Sequence, residues 1–233
     1  MRAMILLLVV LASACGSKGS PAAPAPPQTA SPAATPPANG NPVIASATIA
    51  PNFGIDSLTL FSFAATASDP DGDPMTYTWR FADGTVFHDG QAVSTQLVGS
   101  TLDGSLNLTV TDTRGGSATT STNRFVLASM TNDWILRSPS FPGVTLTAFS
   151  LNQDRFGAIT GSVLGGGRPI GAPSRIENSG RVEIRFKLAN DVDVTVVGQM
   201  QQSGDEIVGT FTQSNATFNG KSLKGLTAVL SLR

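Results

Sequence analysis

Met75-Thr76-Tyr77-Thr78-Trp79-Arg80-Phe81 alternates apolar and polar residues without a break. In an extended chain successive side chains point to opposite faces, so Met75, Tyr77, Trp79 and Phe81 share one side and Thr76, Thr78 and Arg80 the other. The aromatic side has to be buried, whereas the threonine side can stay wet, as in an antiparallel sheet with one solvated face. Similar runs surround it at Val43 to Ala50, Leu58 to Ala65, Val93 to Val98, Leu106 to Thr111 and Ala118 to Leu127, divided by Gly, Asp and Pro turns. Residues 43–128 are therefore expected to form a β-sandwich whose core includes the face of 75–81.

The alternation continues downstream at Trp134 to Arg137, Val144 to Leu151, Ala158 to Leu164, Arg181 to Leu188, Val192 to Met200, Ile207 to Thr212 and Leu226 to Leu232. Val182, Ile184, Phe186 and Leu188 fall on one face, and Glu183, Arg185 and Lys187 on the other. Gly161, Gly198 and Gly209 interrupt three of these runs, which suggests bends where a sheet curls on itself. Short connections such as Asn190-Asp191 and Ser203-Gly204-Asp205 suit neighbour-to-neighbour pairing. Residues 129–233 are expected to be a small antiparallel up-and-down β-barrel or curled sheet of about seven or eight strands. No apolar pattern of helical period persists for three turns, so the fold class is all-β.

Two resemblances follow from these residues. Ser68-Asp69-Pro70-Asp71-Gly72-Asp73-Pro74, then Tyr77-x-Trp79-x-Phe81-x-Asp83-Gly84, then Leu108-Thr109-Val110-Thr111-Asp112 before Gly115-Gly116, resemble in order and spacing a PKD domain. That resemblance implies an immunoglobulin-like sandwich of the kind common in bacterial surface proteins. The Asp-Pro-Asp-Gly-Asp block is also similar to that of cadherin-like repeats. The Trp134 start and the run from Phe149 to Gln153 leading to Thr160-Gly161 loosely resemble avidin-like and lipocalin-like barrels. The chain has two tryptophans and one belongs to the sandwich, so a packed barrel interior is expected rather than an aromatic-lined pocket.

The amino terminus addresses location. Arg2 precedes an apolar run from Met4 to Leu11, and Leu11-Ala12-Ser13-Ala14-Cys15 ends in the only cysteine. The run is roughly ten residues, about 15 Å as a helix, whereas a bilayer core of about 30 Å needs about twenty. It reads as an export signal over 1–14. The ending resembles the lipobox of bacterial lipoproteins, although Ala12 stands where that family usually has Leu. The resemblance implies acylation of Cys15, whose acyl chains, such as palmitate, would hold the mature protein to a membrane. Gly16 in place of Asp implies the outer membrane or cell surface. Ala12-Ser13-Ala14 is also an ordinary cleavage site that would release a soluble protein. Residues 15–42 carry eight of the fifteen prolines, with Lys18 their only charge, and read as a disordered, partly extended tether.

Charge and chemistry exclude several functions. Residues 43–128 hold eight acids and three bases, and 129–233 eight acids and ten bases, without the dense basic stripe of a nucleic-acid binder. The single histidine, His88, is read as a turn residue, and with one cysteine neither a nucleophile–histidine pair nor a His/Cys zinc site is available. Gly165-Gly166-Gly167-Arg168 lacks the following Lys-Ser or Lys-Thr of a phosphate loop and is expected to be a hairpin loop. Asp191 with Asp193, or Glu177 with Glu183, are carboxylate pairs of a type that serves glycoside hydrolysis, but strand position makes them surface charges. Arg175, Arg181 and Arg185 would form at most a weak anion patch. Asp69, Asp71 and Asp73 alternate along a turn and, with Asp112, form a candidate calcium set; tight turns alone also account for them. The expectation is a non-enzymatic, lipid-anchored envelope protein that presents a binding domain on a sandwich spacer to an envelope protein or glycan partner. The alternative is an accessory carbohydrate-binding protein of the cell surface.

Overall fold

In the first half, period-two alternation becomes ten strands. They are β1 (Val43–Ala50), β2 (Phe53–Ile55), β3 (Leu60–Ser68), β4 (Met75–Arg80), β5 (Val86–Asp89), β6 (Ala92–Gln96), β7 (Leu102–Gly104), β8 (Asn107–Asp112), β9 (Ser117–Ser121) and β10 (Phe125–Ala128). The structure, a computed structural model, describes residues 36–99, 102–188 and 191–233. The expected signal peptide, Cys15 and the tether as far as residue 35 lie outside the described residues.

β1, β3 and β6 form one antiparallel sheet, and β5, β4, β8 and β9 another. Ile49, Phe61, Phe63 and Ala65 of the first sheet and Trp79, Leu108 and Val110 of the second belong to one buried cluster, which Met75, Tyr77 and Phe81 border. The expected face of 75–81 is thus the core face. Trp79 packs edge-on against Phe63 at 6.3 Å and donates its indole N–H to the Gly90 carbonyl at 2.9 Å, so its one polar atom is satisfied. The run expected as one strand over 118–127 is divided. Asn123 accepts the Ile49 N–H and donates to the Ile49 carbonyl, turning the chain into β10, which pairs with β2 and β7 instead.

The second half comprises β11 (Asn132–Arg137), β12 (Thr145–Gln153), β13 (Ile159–Val163), β14 (Gly171–Ile176), β15 (Arg181–Lys187), β16 (Asp193–Met200) and β17 (Glu206–Ser214). A small hairpin of β18 (Thr217–Phe218) and β19 (Lys221–Ser222) precedes β20 (Thr227–Leu232). Eight of these strands form one antiparallel sheet in the order β13-β12-β11-β20-β17-β16-β15-β14. The last strand therefore pairs with the first, and every other neighbour follows in sequence, which is the topology of an up-and-down barrel. The seam between β13 and β14 is joined by the bridges Ala158–Arg175 and Ser162–Pro169, leaving the barrel nearly closed.

Inward residues fill the barrel. Trp134, Phe149, Ile184, Phe186, Val196, Ile207, Phe211 and Leu230 belong to one cluster, all at most 3% exposed. Phe149 and Phe186 meet edge to face at 4.9 Å, and Trp134 donates to the Met130 carbonyl at 3.1 Å. Gly198 and Gly209 face each other across β16 and β17, and a Cβ on Gly209 would run into the Val197 carbonyl and the Gly198 Cα. The paired glycines let the two backbones approach where the sheet coils.

Residues 38–233 make one compact unit. Ile55 and Ala128, from β2 and β10, join the barrel cluster, with Phe53 and Leu58 packed against it, so the sandwich covers one end of the barrel. At the other end Ala216, Leu223 and Phe218, in the segment around the β18–β19 hairpin, cover the interior together with Phe141.

Candidate functional site

The acidic turn after β3 lies at the end of the sandwich where the chain enters. Asp69 Oδ1 accepts the N–H groups of Asp71 and Asp73 at 2.9 and 3.0 Å, the local bonding that makes aspartate a turn former. Asp71 Oδ2 accepts the Gly40 N–H at 2.6 Å, tying the last residues before β1 to the turn. Asp112, at the β8–β9 turn, accepts the N–H groups of Arg114 and Gly116 through Oδ1, both at 2.8 Å, and the Asn39 amide through Oδ2 at 2.9 Å. Desolvation pushes the Asp112 carboxyl up, but the Asn39 amide and the N–H groups of Gly116, Arg114 and Gly115 outweigh it and hold it below its ordinary value.

Of the four candidate calcium ligands, Asp69, Asp71 and Asp73 each place one carboxylate oxygen within 4.8 Å of the others. Asp112 is not among them and has committed both oxygens elsewhere. Asp69 Oδ2, Asp73 Oδ2 and Asn39 Oδ1 are shielded from solvent without a hydrogen-bond partner among the described residues, and all three are hard oxygen donors. The Arg114 guanidinium stands 3.7 Å from Asp73 Oδ2 and 3.9 Å from Asp71 Oδ2. A calcium ion would compete with it for the same carboxylates. Asp71 and Asp112 together clamp Gly40 and Asn39.

At the opposite end of the sandwich a buried polar network crosses to the barrel. Asp56, 6% exposed, accepts the Ser129 hydroxyl at 3.1 Å, the Ser57 hydroxyl at 2.9 Å and the Gly99 N–H at 3.1 Å. Gln153 of β12 donates to the Asp56 carbonyl at 2.8 Å and accepts the Met130 N–H at 3.0 Å. Thr59 donates to Asn178 at 2.6 Å. All but the Ser57 bond join distant parts of the chain, and the bond to Ser129 lies wholly between buried residues.

The rim away from the sandwich carries a cleft of about 760 Å³. Pro169 and Ile170 line it from the β13–β14 connection, Ala172 from β14, and Arg185, Lys187, Asp193, Thr195 and Gln213 from β15 to β17. Arg168 reaches over to pair with Asp191 and to donate to the Leu188 carbonyl at 3.1 Å. A separate chamber under the β18–β19 hairpin, lined by Leu146, Phe186, Leu188 and Phe218, holds only about 50 Å³.

The other residues singled out in the sequence are placed as follows. His88 lies within β5, opposite Trp79, and not in a turn, because β5 pairs with β4 as an edge strand too short for the sequence pattern to reveal. Asp193 pairs with Lys187 at 3.3 Å. Glu177 meets Arg175 and Arg181 at 3.4 and 3.3 Å, and Glu183 meets Arg181 and Arg185 at 3.8 and 2.7 Å. The three arginines are thus interleaved with the two glutamates along β14 and β15, an ion-pair ladder rather than an anion patch. Gly165 to Gly167 connect β13 to β14 as expected of a hairpin loop. Sequence reading missed Asp56, Gln153 and the cleft, since each depends on segments far apart in the chain.

Comparison with protein-family models, curated proteins and solved structures finds no match.

Proposed function

We propose that this is a lipid-anchored protein of the bacterial outer membrane or cell surface that performs no catalysis and presents its barrel as a binding domain on an immunoglobulin-like spacer. The observation that carries this reading is the placement of two locks at opposite ends of the sandwich. The clamp of Asp71 and Asp112 holds Gly40 and Asn39 where the tether arrives, and Asp56 binds the barrel at the other end. A chain so fastened fixes the barrel relative to Asn39 and Gly40, the point from which the tether would run. The immunoglobulin-like reading is supported by the strand order, β1-β3-β6 in one sheet and β5-β4-β8-β9 in the other, which follows the A-B-E and C′-C-F-G arrangement of that fold.

The anchor is tested by the mass of the mature amino terminus after membrane extraction, compared between wild type and Cys15→Ala. A lipid-sized addition that the variant loses supports the reading. An unmodified, soluble wild-type protein overturns it in favour of secretion after Ala14.

A second reading, an accessory carbohydrate-binding protein, is favoured by the rim cleft, whose size falls within the roughly 300–1,000 Å³ of small-molecule sites. Sugar-dependent protection against thermal unfolding tests it.

A further inference from the structure

We infer that the rim cleft binds an uncharged, hydroxyl-rich ligand, a neutral oligosaccharide. The inference rests on the carbohydrate-binding reading and assigns that reading its site and its ligand class.

The cleft has a mixed lining. Pro169, Ile170 and Ala172 contribute apolar surface, and Arg185, Lys187 and Gln213 polar surface. A purely apolar ligand would strip water from the polar surface and return no hydrogen bonds. Ionic ligands fare little better, because the charges are already matched. Lys187 pairs with Asp193 at 3.3 Å, Arg185 with Glu183 at 2.7 Å, and Arg168 with Asp191. An anion would have to break one of these pairs, and a cation likewise, for the modest return that exposed charges offer.

A hydroxyl group donates and accepts at once, so it bridges an ammonium and its carboxylate without separating them. Gln213 offers both an acceptor and donors to such a hydroxyl. The C–H face of a sugar ring suits the apolar surface. Among the described residues the one aromatic ring at the cleft, Phe186, is only 3% exposed and provides no stacking platform. Affinity is therefore expected near the millimolar range, about 0.1–1 mM.

The test uses the full chain with Cys15→Ala, labelled for amide NMR and titrated with cellotetraose, maltotetraose and chitotetraose, with trigalacturonate as the anionic probe. At least one neutral sugar is expected to shift the amide signals of Ile170, Lys187 and Gln213, while trigalacturonate leaves them unmoved. Gln213→Ala should weaken that binding about fivefold, the worth of one hydrogen bond, and Asp193→Asn, which keeps the shape of the cleft, should weaken it similarly. The inference is overturned if no neutral sugar shifts these signals, if the shifts centre elsewhere, or if trigalacturonate binds more tightly. Silence from every sugar in a protein whose amino terminus carries the lipid removes the cleft and leaves the anchored spacer standing. Sugar binding by a protein with an unmodified terminus does the reverse.

Discussion

The Asp56 carboxylate accepts the Ser129 hydroxyl at 3.1 Å although the two residues are 73 positions apart, and both are buried. Asp56 leaves β2 on the sandwich side, and Ser129 follows β10 just before the barrel begins. The contact is backed by Gln153, which reaches from β12 to the carbonyl of the same aspartate. Buried polar networks that are fully paired specify one arrangement, because any other leaves a group unsatisfied. The two halves should then melt as one.

Asp56→Ala is expected to lower stability by about 2 kcal/mol, since it removes the charged acceptor of the buried Ser129 hydroxyl and of the Ser57 hydroxyl and Gly99 N–H. It should also uncouple the halves. The two tryptophans make this measurable, because Trp79 lies in the sandwich core and Trp134 in the barrel core. Single-tryptophan proteins made with Trp134→Phe or Trp79→Phe should show coincident urea transitions with Asp56 present and separated transitions with Asp56→Ala. Coincidence in both backgrounds would mean that apolar packing alone couples the halves.

The clamp at the other end is expected to weaken in acid. Its four hydrogen bonds outweigh desolvation and set the Asp112 carboxyl below the 3.8 of an ordinary aspartate. A lowered folded-state value means that the unfolded chain binds the proton first as pH falls, so the stabilisation is fully present above about 3.8 and is lost through the range below it. Asp112→Asn should therefore be less stable than wild type at neutral pH, and the difference should shrink as pH falls below about 3.8. Urea midpoints across that range check this. A difference that does not change with pH would show that the side chain acts by shape and not by charge.

Arg114 is expected to decide whether the acidic turn responds to calcium. With the guanidinium in place beside Asp71 and Asp73, millimolar calcium should leave the melting temperature of wild type unchanged. Arg114→Gln removes the competing cation at a cost of at most about 1 kcal/mol, as befits partly exposed pairs. The variant should then gain melting temperature with calcium, and Asp73→Asn in the same background should abolish the gain. A calcium-dependent rise in wild type would mean that the ion displaces the arginine unaided.

How far the sequence could be read follows from which interactions are local. The face of 75–81 and the alternation of 181–188 were legible because strand period depends only on neighbouring residues. β14 was missed, since Gly171 and Pro173 break its pattern, and its ladder with β15 shifts between Gly171 and Arg175. Closure of the sheet by β11 and β20 has no local signal either. The acidic turn declared itself through residue type, but its use as a clamp required Asn39 and Gly40 to arrive from elsewhere. The cleft draws on four separated segments, and no single one of them carries its signature.

The coiling of the barrel makes the last prediction. Gly198 and Gly209 stand opposite each other on β16 and β17, and a Cβ at Gly209 would overlap both the Val197 carbonyl and the Gly198 Cα. These are backbone atoms held by the ladder, so no rotamer change can make room. Gly209→Ala is expected to destabilise by about 2–3 kcal/mol, and Gly209→Val by more, as overpacking against a fixed neighbour does. Gly166, in the β13–β14 loop, has no atom of the described residues within 4 Å of the same position, so Gly166→Ala should stay within about 0.5 kcal/mol of wild type. Urea midpoints of the variants separate the two sites. Equal, small effects would mean that β16 and β17 can move apart without cost, and the close approach of their backbones would then not be what holds the coil.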